Sequence, residues 1–233
     1  MPDSSIPASV STDREHTLAG PATLEGTSLH TGQKVTLTIR PAPGGHGFKF
    51  RRIDLPDKPF IDADVDRVEK VERATTLASG SVRVHTVEHV LSALTGMGVD
   101  NALIEMDANE PPIGDGSARP FVDLIKQAGV EQQESRRKTW EIREPIHFDD
   151  RNGSHITIVP YRGFRVSVTN LSRLGKFTQY FSSEITPETY ESEVSSARTF
   201  TFYEDIKPLL DQGLIKGGSL ENAVVIRDEE ILS

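Results

Sequence analysis

Val82-Arg83-Val84-His85-Thr86-Val87-Glu88-His89-Val90-Leu91-Ser92-Ala93-Leu94-Thr95-Gly96 changes its hydrophobic period part-way along. Val82 and Val84 alternate as a strand does. From Val87 the apolar residues recur at helical spacings, through Val90, Leu91 and Leu94, and Gly96 and Gly98 end the run. A strand handing over to a helix implies mixed architecture, and the same alternation spreads outward from here.

Upstream, Lys34 to Arg40 puts Val35, Leu37 and Ile39 on one face, and Phe48, Phe50 and Arg52 continue after the Gly44-Gly45 turn. Downstream, Ala102 to Met106 reads as a strand and Gly114-Asp115-Gly116 as a turn. Ser117 then caps a helix carrying Phe121, Val122, Leu124 and Ile125 as far as Gly129. Beyond the polar stretch Glu131 to Lys138, three alternating runs follow: Trp140 and Ile142, Ile156 and Ile158, then Phe164, Val166 and Val168. A helix through Ile206, Leu209 and Leu210 ends at Gly213, and Ala223 to Ile226 is a short apolar strand. The expected fold is therefore α+β in two similar halves. The second lacks a counterpart to the closing helix, strand and helix of the first. The expected divisions are a flexible tail at 1–16, a first domain at 17–130, a linker at 131–138 and a second domain at 139–233.

The bulk numbers remove several function classes. With 36% hydrophobic and 26% charged residues, the chain of 233 has the composition of a globular protein. The absence of cysteine excludes disulfides, thiolate nucleophiles and Cys-ligated zinc, so any metal site must use His, Asp and Glu. A net charge of -9 opposes a nucleic-acid-binding surface. Arg136-Arg137-Lys138, the one run of three basic residues, lies in the expected linker. No window approaches the roughly 18 unbroken apolar residues of a membrane span, and no apolar leader follows Met1. The expected location is the cytoplasm, without stable membrane insertion.

His85-Thr86-Val87-Glu88-His89 literally fits H-x-x-E-H, in which two histidines on one helix bind zinc and the glutamate activates water. That zinc-peptidase reading needs His85 inside the helix. Thr86 is a natural N-cap, which would leave His85 outside it. The second reading keeps Glu88 as proton acceptor and His89 as one zinc ligand, with other ligands from elsewhere. The plain alternative is a capped helix with a solvated Glu-His pair, and spacing alone does not displace it.

Further strings bear on the choice. Ser28-Leu29-His30-Thr31-Gly32, Lys34-Val35-Thr36-Leu37 and Arg40-Pro41-Ala42-Pro43 precede Arg51-Arg52-Ile53-Asp54. Thr86 to His89 is followed by Leu94, Gly96, Gly98, Asp100-Asn101 and Glu105, then Pro112-Ile113-Gly114-Asp115-Gly116-Ser117-Ala118. Ala197-Arg198-Thr199-Phe200, Gly213-Leu214, Gly217-Gly218-Ser219 and Asn222-Ala223 complete the series. In this order they resemble the motifs of the UDP-3-O-acyl-N-acetylglucosamine deacetylases, from about Leu18 to Ile226.

That resemblance implies two two-layer, S5-like βα-sandwich domains. It implies zinc-dependent hydrolysis of the acetamide of UDP-3-O-(3-hydroxyacyl)-N-acetylglucosamine, the committed step of lipid A biosynthesis. By the same resemblance Glu88 is the general base, His89 a zinc ligand, and Thr199 the hydroxyl that helps hold the oxyanion. Phe200 packs near the glucosamine, and Ile206, Ile215, Leu220, Ala223 and Val225 line an acyl channel. From the residues alone, these are equally an ordinary amphipathic helix and strand. His30 and Asp115 are expected in supporting roles, and His46, His147 and His155 as solvated or locally bonded. The family's remaining zinc ligands, in an H-K-x-x-D helix, are expected beyond Ser233. The chain as given is thus expected to be an incomplete, inactive fragment without stoichiometric zinc. A fused acyl-carrier-protein dehydratase domain beyond the end is compatible with the resemblance. A non-catalytic module binding a UDP-sugar or acyl chain is the further alternative.

Overall fold

The computed structural model describes residues 8–171, 177–212, 215–227 and 230–232, and side chains from residue 13 onward. Gly213-Leu214, part of one motif, lies outside them. The first half begins with β1 (Ala8–Leu18), β2 (Ala22–Thr27), β3 (Lys34–Pro41), β4 (Phe48–Arg52) and β5 (Phe60–Asp62). β6 (Val68–Lys70), β7 (Thr76–Ser79) and β8 (Val82–Val84) follow, then α1 (Glu88–Gly96), β9 (Ala102–Met106) and α2 (Arg119–Ala128). β10 (Val130–Trp140) leads to the hairpins β11 (Ile146–Asp149) with β12 (His155–Ile158) and β13 (Arg165–Asn170) with β14 (Gln179–Glu184). The short turn α3 (Pro187–Thr189), β15 (Phe200–Phe202), α4 (Tyr203–Asp211), β16 (Val224–Arg227) and β17 (Glu230–Ile231) complete it. The α+β class expected from the period changes is the class observed.

The central sheet runs β2-β3-β9-β4-β5, with β9 antiparallel to β3 and parallel to β4. Its alternation sorts residues by face. Leu37, Ile39, Phe50, Ile61, Ile104 and Met106 point inward and are buried. On the outer face Arg40 and Arg51 converge on Glu105, at 2.5 and 3.3 Å. Val90, Ala93 and Leu94 of α1 and Phe121, Val122, Leu124 and Ile125 of α2 cover the apolar face. Burying each such side chain contributes roughly 1.5–3 kcal/mol, which is why the amphipathic helices lie where they do.

Three expectations need correction. Residues 8–16 are strand β1, where a tail was expected, and residues 131–138 are the middle of β10, where a linker was expected; the two strands pair antiparallel. Polar side chains hold this ribbon, so hydropathy gave no sign of it. The Glu15 carboxylate accepts from Ser135 Oγ at 2.6 Å and Gly45 N at 2.8 Å. Arg137, from the basic run, forks onto Asp100 at 2.8 and 2.7 Å. Ser117 is not the residue at the cap of α2: Ala118 takes that place, although Ser117 Oγ accepts from Arg119 N at 3.1 Å.

Arg52 secures the strand that precedes α1. Its guanidinium, largely buried, donates to the Arg83 carbonyl at 2.9 Å and forks onto Asp54 at 2.8 and 2.6 Å. The hydrogen bond from Arg52 holds the Asp54 carboxyl below the usual carboxylate range. The second half docks on α1 through Tyr190, whose ring lies over Gly96 and whose hydroxyl meets Ser92 Oγ at 2.7 Å.

Candidate active site

Thr86 does not cap α1. Val87 occupies the cap position, and Thr86 takes a left-handed φ of 54° with its hydroxyl donating to Glu110 Oε1 at 2.9 Å. This kink leaves His85 off the helix, as the strand pattern implied. His85 N donates to the Asn109 carbonyl at 2.8 Å, and its ring Nδ1 lies 3.0 Å from Thr76 Oγ1. The two histidines of H-x-x-E-H share no helical face, so the geometry disfavours the peptidase reading.

Glu88 is in the first turn of α1, where the helix dipole favours a carboxylate. Its Oε2 accepts the Thr75 N–H at 3.1 Å, which holds the side chain beside the helix start. His89 is half-buried. Burial depresses its pKa, with the Glu88 and Asp115 charges and the Ser117 main chain pulling the other way. A neutral imidazole is the form that ligates a metal. Glu88 and His89 border a small cleft with Ser92, Ala118, Tyr190, Val194 and Ala197.

The turn beside His89 carries the second half's contribution. Thr199 N donates to the Gly116 carbonyl at 2.8 Å, and its own carbonyl accepts Val224 N at 2.9 Å. Arg198 donates to the Asp115 and Leu220 carbonyls at 2.7 and 3.0 Å. Gly116 has a φ of 85°, and a Cβ there would run into the Asn222 carbonyl, so only glycine permits this approach. Asp115 accepts from Ser117 N and Oγ, a bonded supporting role.

Thr199, Phe200, Ile206, Ile215, Leu220, Ala223 and Val225 all line one apolar cavity of about 460 Å³. The residue pattern missed Leu29, Arg73, Tyr203, Leu210 and Leu232 in the same wall, and His30 lines it too. These come from separate segments, so no single periodicity could gather them. His30 Nε2 is buried and has no hydrogen-bond partner among the described residues. The structure thus places the seven positions at one cavity and Glu88 and His89 at an adjoining cleft, joined by the Asp115–Ser117 turn. His46 and His147 make local bonds, to the Gly47 carbonyl and Thr157 Oγ1.

A catalytic zinc takes three protein ligands. Among the described residues no three His, Asp or Glu side chains converge to hold a metal, and His89 offers one donor. The described residues alone do not fit a complete zinc centre.

The family model for UDP-3-O-acyl N-acetylglycosamine deacetylase matches residues 15–233. The chain belongs to this family. Its members are hydrolases of lipid A biosynthesis and in general depend on zinc. The UDP-3-O-acyl-N-acetylglucosamine deacetylase of Myxococcus xanthus is 43% identical over 220 residues, 94% of this chain and 70% of that protein. That of Methylococcus capsulatus is 41% identical over 223 residues, covering 94% and 73%. The bifunctional enzyme LpxC/FabZ of Bacteroides thetaiotaomicron is 39% identical over 219 residues, 94% of this chain and 48% of that protein. No helix among the described residues is long and apolar enough to cross a membrane.

Proposed function

We propose that this chain carries the proton-accepting and acyl-binding parts of a deacetylase site acting on UDP-3-O-(3-hydroxyacyl)-N-acetylglucosamine. The observation that carries the reading is the join at Gly116, which sets Thr199 and the apolar cavity beside the Glu88–His89 cleft. The cavity excludes water from an acyl chain, with Ile206, Ile215, Leu220, Ala223 and Val225 along it and Phe200 near the sugar. Glu88 accepts the proton of the water that attacks the acetamide carbonyl. The Thr199 hydroxyl donates to the oxygen as it gains charge. His89 would offer one imidazole to a zinc ion, whose other ligands are not found among the described residues. A nucleotide-sugar substrate puts the reaction in the cytoplasm.

Calorimetric titration with the acylated UDP-sugar, paired with an acetate-release assay in added zinc, tests the proposal. Saturable binding is expected; it fails in Ile215→Glu and persists in Glu88→Gln, whereas any acetate release is lost in Glu88→Gln. No binding to the folded wild type, or release that survives Glu88→Gln, overturns it.

A further inference from the structure

Glu110 is fully buried, and its carboxylate accepts hydrogen bonds from three donors. The backbone N–H of His30 lies 3.1 Å from both oxygens, the N–H of Thr31 3.0 Å from Oε2, and the Thr86 hydroxyl 2.9 Å from Oε1. Its main-chain carbonyl accepts Ser28 Oγ at 2.8 Å. Taking a carboxylate from water is costly unless its lone pairs are satisfied, and here they are, by two separate segments. One is the loop 28–32. The other is Thr86, two residues before Glu88, held in a backbone region unfavourable for a β-branched residue.

The loop also reaches the cavity. Leu29 and His30 line it, and their carbonyls accept Gly217 N at 3.0 Å and Lys216 N at 3.3 Å, next to the lining residues Ile215 and Gly218. A continuous path of bonds therefore runs from the cavity wall through loop 28–32 to Glu110, and from Glu110 through Thr86 to the start of α1. We infer that Glu110 is a positioning residue. Its carboxylate fixes the kink at Thr86 that aims Glu88 and His89, and it sets that aim relative to the wall of the acyl cavity. It touches no reacting atom and acts through Thr86. The kinetic part of the inference rests on the deacetylase reading above; the placement of His89 does not.

The variants are Glu110→Gln, which keeps the volume but turns an amide N–H toward the donors, Thr86→Val, which loses the hydroxyl, and Thr86→Ser, which keeps it. Two-dimensional NMR of the metal-free chain reads the His89 ring directly. Its Cε1–H signal is expected to move in Glu110→Gln and Thr86→Val and to stay with wild type in Thr86→Ser. If Glu110→Gln does not fold, the two Thr86 variants decide. Where acetate release is measurable, kcat should fall on the order of tenfold or more in Glu110→Gln and Thr86→Val, since small misplacements are expensive. KM should change less than kcat, and the double variant should lose no more than the worse single one. An unmoved His89 signal in folded Thr86→Val overturns the inference, as does a Thr86→Ser signal displaced as far as that of Thr86→Val. Absence of turnover in wild type bears on the deacetylase reading alone and leaves the ring signals to decide this one.

Discussion

The sheet β2-β3-β9-β4-β5 and the hairpins β11–β12 and β13–β14 carry the same alternating pattern with opposite outcomes. In the sheet, Phe50 and Ile104 are 0% exposed beneath α1 and α2. In the hairpins, Phe148 and Ile156, cross-strand partners, are each 63% exposed, and Val168 is 50% exposed. A period of two specifies a strand with one apolar face; whether that face is covered depends on another element packing there. The first half supplies its own cover from adjacent sequence. The hairpins have none among the described residues.

Substitutions should separate the two regions sharply. Phe121→Ala in α2 is expected to cost roughly 3–5 kcal/mol by urea unfolding, against well under 1 kcal/mol for Phe148→Ala. Equal losses would break the comparison. Next in size is Gly96→Ala, whose added Cβ would overlap the Tyr190 ring; about 1–3 kcal/mol of destabilisation is expected. Tyr190→Phe removes only the bond to Ser92 and should cost about 1 kcal/mol, with the ring still seated on α1. Ile156→Thr should leave the unfolding midpoint nearly unchanged while lowering the fluorescence of a bound apolar dye.

The smallest effect concerns pH. Burial, chiefly, holds the His85 pKa below its ordinary 6.5, helped by the charges of His30 and Arg52 and opposed by Glu110 and Glu69. The unfolded chain therefore binds this proton more readily than the folded one. Stability should fall as pH drops from about 6.5 through the depressed folded value and lose nothing more to His85 below it. Urea midpoints between pH 7 and 5 measure this slope, and His85→Gln should flatten it in part.

The elements legible in the sequence were those whose side chains obey a period. Ala102 to Met106 was read with its observed bounds, and Lys34 to Arg40 to within a residue. The ribbon of β1 and β10 escaped because Glu15, Ser135, Arg137 and Asp100 hold it with ion pairs and hydrogen bonds, which leave no hydropathic trace. In the candidate site, Glu88, His89 and the cavity residues are legible through motif resemblance; periodicity alone makes the cavity residues an ordinary helix and strand. Glu110 gave no signal. A lone acid before Pro111-Pro112 looks like a solvated loop residue, and its complete burial in that loop is what sets it apart. Thr86 resembles a helix cap in sequence, but its hydroxyl serves a carboxylate 24 residues away and not the helix it precedes.

The β1–β10 ribbon also dictates an order of events. Glu15 and Ser135 are 120 residues apart, so the loop between them must close before their bond can form. Chain entropy makes such long-range pairing slow, whereas α1, β9 and α2 assemble from near neighbours. During synthesis β1 emerges well before β10, and its ladder with β10 forms only after the residues between them have followed. The first strand among the described residues thus waits on a partner more than a hundred residues away before it is built into the fold.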